Sequence, residues 1–219
     1  MMLSKRYWAR RGFHHLIFAA LSLLVVWFPF RNLPEPYFRG RVTVYSAYAA
    51  LALLALALCI GPWNVLTKKA NPVSSDLRRD IGVWAGIVGV FHTCIGLTVH
   101  LRGQMWKYFL RRLHPPALQN TMFGFANDTG LIAALLLVGL LLLSNDYSLR
   151  WLGVPRWKSL QRWTYVAYAL TVAHGIGYLI VIKRHGIWLI LFAAIAGAAV
   201  VLQIAGLIRR LRGSSPSGA

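Results

Sequence analysis

The sequence predicts an all-α membrane protein, a six-transmembrane-helix bundle with both termini cytoplasmic. Three observations carry this. Of 219 residues, 58% are apolar and only 13% charged, against about half and a quarter in soluble domains. Mean hydropathy is +0.55. The 24 Lys and Arg against 5 Asp and Glu lie between long apolar runs, where they act as topology signals and not as a nucleic-acid-binding face.

A bilayer core of about 30 Å needs roughly 20 apolar residues in a helix. Six runs qualify: 13–30, 42–61, 81–101, 123–143, 163–182 and 186–208. The first follows Lys5, Arg6, Arg10 and Arg11, like a signal peptide. Trp27, Phe28, Pro29 and Phe30 then replace a small-residue cleavage site, so it reads as a retained helix. The fourth is interrupted by Asn127 and Asp128. Asp128 is a proton- or cation-binding group, or the cap of a helix starting at Thr129.

With both ends inside, the inner segments hold 15 basic residues and the outer loops 9. That bias sets the orientation. Residues 1–12 form a basic cytoplasmic N-terminus, 13–208 the membrane domain and 209–219 a disordered tail. Short loops leave no room for a second domain. No GxGxxG after a strand pattern and no P-loop is present, so no nucleotide-binding module is expected. No internal repeat suggests a transporter. Cys59 and Cys94 both lie in apolar runs and offer neither a disulfide framework nor a zinc site.

Trp63, Trp84, Trp106, Trp151, Trp157 and Trp163 fall near the predicted interfaces, as aromatic belts do. Tyr165, Tyr168 and Tyr178 are belt, core, or the lining of a pocket on the fifth span.

The seven histidines carry the chemistry. His14 and His15 open the first span, His114 is in a loop, and His100 and His185 lie near the outer surface. His92 and His174 differ: each is 11 residues past the inner start of its span, the third and fifth. Both spans cross in the same direction, so the two rings share a depth. Facing imidazoles from neighbouring helices suit a six-coordinate haem iron. Gly89 and Gly96 beside His92, and Gly175 and Gly177 after His174, let a flat macrocycle approach. The alternative is plain hydrogen bonding between helices, with small residues such as Gly82 and Gly86 at the contact. His100 and His185 would form a second, outer metal or haem site, or are interfacial residues.

The run Asp76-Leu77-Arg78-Arg79-Asp80-Ile81-Gly82, followed by His92, resembles the third helix of the ferric-reductase-like transmembrane family. Trp157-Lys158-Ser159-Leu160-Gln161-Arg162-Trp163-Thr164-Tyr165, followed by His174, resembles its fifth. That family includes eukaryotic ferric reductases, NADPH oxidases and the haem-binding membrane subunit of the bacterial periplasmic methionine-sulfoxide reductase system. The resemblance covers residues 40–185. It implies haem b between these two helices, often two stacked, with ligands 13 or 14 residues apart on each helix. Those steps lead back to Arg78 and Gln161, neither an ordinary haem ligand. The resemblance therefore implies one haem b, held by His92 and His174. Arg78, Arg79 and Arg162 would hold propionates or a flavin phosphate, or serve only as inner-face anchors.

The implied function is electron transfer from a cytoplasmic-side flavin or quinone to ferric iron, oxygen or a periplasmic redox partner. The implied location is a bacterial inner membrane. Without a nicotinamide domain a separate donor is needed. A haem-free scaffold subunit is the alternative, and bulky side chains between His92 and His174 would mark it.

Overall fold

The computed structural model describes residues 5–35, 37–69, 76–99, 101, 104–111, 117–118 and 121–213. Among them are seven α-helices: α1 Lys5–Ser22, α2 Tyr37–Leu66, α3 Asp76–Val99, α4 Met122–Leu143, α5 Asp146–Gln161, α6 Trp163–Val181 and α7 Ile187–Gly213. A π turn (Leu23–Trp27) and a 3-10 turn (Phe28–Phe30) prolong α1. Six segments are long and apolar enough to cross a membrane, as the sequence predicts.

The helices extend beyond the apolar runs, because their first turns carry polar residues that hydropathy misses. α3 begins at Asp76, whose carboxylate favours a helix N-terminus. α4 is capped by Thr121, which accepts a hydrogen bond from Gly124 N at 3.3 Å. Asp128 is thus inside the helix, half-buried, and caps nothing. α7 continues through Gly213 into the expected tail, and residues 214–219 lie outside the described residues.

The largest difference is α5, which replaces the loop predicted over 144–162. Asn145 caps it by accepting from Ser148 N at 2.8 Å. Gly153 breaks it with φ 70° and ψ 160°, a conformation open to glycine, and Pro155 follows. Trp157 is buried and donates to the carbonyl of Leu143 at 2.9 Å, while Trp151 is 75% exposed. Trp84 likewise leaves the aromatic belt to bond His15. Trp63, Trp106, Trp151 and Trp163 remain exposed.

α2 packs on α3 and α7, and α4 on α6 and α3, whereas α1 packs mainly on α3. One part of the α2–α7 contact follows from a single residue. Pro62 lies inside α2 and has no N–H, so the carbonyl of Leu58 has no helical partner. Gln203 of α7 donates its side-chain amide to that carbonyl at 2.9 Å. A Cβ at Gly206 would stand 2.8 Å from Pro62 Cβ, so glycine admits the approach. The hydrogen bond contributes about 1 kcal/mol.

α1 is held differently. Asp80 of α3 is fully buried and accepts from Arg11 Nη2 at 2.7 Å, Arg11 Nε at 3.1 Å and His14 Nδ1 at 2.9 Å. His15 Nε2 lies 3.5 Å from it, and Trp84 Nε1 donates to His15 Nδ1 at 3.0 Å. Arg10 pairs with Asp76, and Arg79 with Asp146 and the Tyr7 hydroxyl. This network lies at the end where α3 and α6 begin, hereafter the closed end.

Candidate functional site

A cavity of about 700 Å³ opens between α2, α3, α4, α6 and α7. His92 and His174 both line it, with ring centroids 6.0 Å apart and planes at 76°. His92 is seven residues before Val99, and His174 seven before Val181. The shared depth predicted from the sequence is therefore kept. It is not mid-span but about 10 Å from the helix ends at the cavity end, where α2, α4 and α7 begin.

Each ring is oriented by a carbonyl on the helix opposite. His92 Nδ1 donates to Thr43 O of α2 at 3.0 Å, and Ser46 Oγ is 3.4 Å away. His174 Nδ1 donates to Ala126 O of α4 at 2.7 Å. A carbonyl only accepts, so both Nδ1 atoms carry the proton and both Nε2 atoms keep a free lone pair. That is the arrangement of metal-binding imidazoles.

Small residues permit it. A Cβ at Gly130 would lie 2.3 Å from His174 Nδ1, and one at Gly177 2.7 Å from Ala126 Cβ. Beyond the rings, Tyr178 donates to Asn127 Oδ1 at 2.7 Å, and Asn127 Nδ2 donates to Phe123 O at 2.8 Å. Tyr108, 1% exposed, donates to Gly96 O at 3.1 Å. These three side chains wall the cavity end; Tyr178 is a pocket lining the sequence offered and Asn127 the interruption noted in the fourth span, whereas Tyr108 was not singled out.

Toward the closed end the space is filled. Leu141 Cβ would be 3.4 Å from a Cβ at Gly86, and Leu137 Cδ1 2.9 Å from one at Gly89. Leu54, Leu58, Leu140, Ala167 and Tyr168 complete a continuous core.

The other predicted residues lie elsewhere. Arg78, Arg79 and Arg162 sit at the closed end and do not line the cavity. Arg79 is buried against Asp146, and Arg162 is exposed. Gln161 ends α5, its Nε2 buried without a partner. Tyr178 lines the cavity, Tyr168 is in the core and Tyr165 is exposed. His185 is exposed and off the cavity, while His100 and His114 lie outside the described residues, as does any His100–His185 pairing. The basic side chains that do line the cavity are Arg41 and Arg184.

The family model described as ferric reductase like transmembrane component matches residues 46–172, from α2 to two residues short of His174. The chain belongs to the ferric-reductase-like transmembrane family. It is accordingly an integral, multi-pass membrane protein. Among curated relatives, this ferric-reductase-like chain is 26% identical over 212 residues to the protein-methionine-sulfoxide reductase heme-binding subunit MsrQ of Rhodospirillum rubrum, covering 92% of each. It is 31% identical over 137 residues to the MsrQ of Deinococcus radiodurans, covering 61% of this chain and 60% of that one. The magnetosome protein MamZ of Magnetospirillum gryphiswaldense is 28% identical over 168 residues. That match covers 73% of this chain and 24% of MamZ, so the chain spans about a quarter of that relative.

Proposed function

We propose that the chain is a membrane electron-transfer subunit that binds one haem b, with His92 and His174 as axial ligands. The observation that carries this is the facing pair of rings, each with Nδ1 tied to a backbone carbonyl. With centroids 6.0 Å apart, the two imidazoles are close enough that both would hold one haem iron.

Among the described residues no group of three or more His, Cys, Asp or Glu could hold a metal, so a bare ion is poorly served. Haem would bring four equatorial nitrogens and an iron that cycles by one electron. The chain's residues do the rest. The Thr43 and Ala126 carbonyls fix the ring orientations, Gly130 admits the His174 ring, and mostly apolar side chains line the space. The volume lies within the usual range for ligand pockets, about 300–1,000 Å³. A haem-free scaffold would fill this gap, and the open cavity counts against it. Leucines packed on Gly86 and Gly89, with Gln161 at the second ligand position, favour one haem over two.

The Lys and Arg bias favours a cytoplasmic closed end, in a bacterial inner membrane. A flavin or quinone donor would serve that side and the acceptor the cavity end. Relatives named as subunits of a reductase favour a partner redox protein over ferric iron or oxygen as acceptor. A reduced-minus-oxidised spectrum of the detergent-purified full chain, with pyridine haemochrome quantitation, tests the reading. One b-type haem per chain is expected. None, after expression with ample haem, rejects the haem reading, and two reject the single site.

Gly130→Val tests the ring's support. Its side chain would overlap His174 and break the bond to Ala126. Haem content should fall at least tenfold with helicity by circular dichroism unchanged. Gly139→Val, with nothing within 4 Å, should leave it intact.

A further inference from the structure

Two guanidinium groups line the cavity that holds His92 and His174: Arg41 of α2 and Arg184 of the α6–α7 turn. We propose that Arg41 and Arg184 form a paired carboxylate site that takes the two haem propionates, so that the charged edge of the cofactor faces the cavity end. This rests on the haem reading above.

The charge inventory points to an outside carboxylate. The sequence has five acidic residues. Glu35 pairs with Arg39, Asp76 with Arg10, Asp80 with Arg11, and Asp146 with Arg79. The fifth, Asp128, does not line the cavity. None of these acidic side chains is paired with Arg41 or Arg184 among the described residues. Two anionic carboxylates entering an apolar cavity need such partners, and the planar guanidinium fork matches a carboxylate in two parallel hydrogen bonds.

The backbone positions both groups. Thr43, whose carbonyl holds His92, is two residues from Arg41. Arg41 itself is exposed and lines the same cavity. Arg184 is placed by an unusual turn. Lys183 is left-handed, at φ 50°, where glycine is the ordinary choice after a helix. The turn lets Arg184 N donate to Leu179 O at 3.0 Å and leaves its guanidinium 5.3 Å from the Trp188 ring centre. Lys183 is exposed while Arg184 is half-buried. Thr43, which lines the cavity, also has its Oγ1 buried without a hydrogen-bond partner.

The test uses the full chain in detergent, comparing wild type with Arg41→Gln, Arg184→Gln, the two lysine variants and Arg162→Gln as a control. Haem per chain, midpoint potential and the rate of haem loss to excess apomyoglobin are read. Losing a cation beside the cofactor disfavours reduction. Each glutamine variant should lower the reduced-to-oxidised ratio at the wild-type midpoint about tenfold, a 59 mV shift for one electron. Haem loss should quicken about tenfold. Lysine should restore the potential but not the retention, and Arg162→Gln should match wild type. Where the glutamine variants do not accumulate, several-fold faster haem loss in the lysine variants supports the site. Haem-loaded glutamine variants within twofold of wild type on both readouts overturn it, as does a shift in Arg162→Gln. A wild-type chain without haem overturns the haem reading itself, and this proposal with it.

Discussion

His174→Ala, produced with ample haem, is expected to insert and fold yet retain less than a tenth of the wild-type haem. His92→Ala should behave alike. On the proposed reading each ring is one of two protein ligands, and no third histidine among the described residues lines the cavity. The truncation also removes a bond to a helix opposite, Ala126 O for His174 and Thr43 O for His92. That secondary loss is worth about 1 kcal/mol, too little to unfold a bundle with this much apolar contact. Free imidazole separates the two effects. Supplied at millimolar concentration, it should enter the vacated space and return a low-spin spectrum, because the missing ligand is then replaced without the tether. Wild-type spectra from both alanine variants would sink the ligand assignment.

Asp80→Asn should loosen α1 and destabilise the protein by about 3–5 kcal/mol, the range for removing one partner of a buried ion pair. Arg11, which donates through two nitrogens to Asp80 Oδ1, would be left with a neutral amide beside two imidazoles. Thermal unfolding followed by tryptophan fluorescence reports it directly, since Trp84 bonds His15 within the network. A midpoint lower by about 10 °C is expected for a chain of this size. Arg11→Leu in the same background should recover part of the loss, as removing both charges relieves the uncompensated one. Equal melting of Asp80→Asn and wild type would mean that the carboxylate is not the counter-charge holding the helix.

The spans were legible because twenty apolar residues have few other uses, and the matched depth of His92 and His174 followed from counting. α5 was not legible. Arg150, Arg156, Lys158, Gly153 and Pro155 lower its hydropathy and break its pattern, although Asn145 three residues before Ser148 is a capping signal. The Asp80 cluster joins residues 65–69 positions apart, which no local pattern encodes. Arg41 and Arg184 read as loop charges. Only the cavity and the left-handed Lys183 give Arg184 a direction, and a backbone angle is not written in composition. Arg78, Arg79 and Arg162 drew notice by belonging to a motif, yet the chain turns them to the end away from the histidines.

The off-centre depth of the histidines has an electrical consequence. Along α3, His92 is about 24 Å from Asp76 and 10 Å from Val99. With the ends of α3 taken as the two faces of the bilayer and His92 as a haem ligand, an electron arriving from the closed end would cross roughly two thirds of the field, and one arriving from the cavity end a third. A full crossing is worth about 2.3 kcal/mol per 100 mV, so the longer leg carries about 1.5 kcal/mol. Membrane voltage thus acts on filling and emptying the site unequally, and an energised membrane would bias its occupancy without any change in structure.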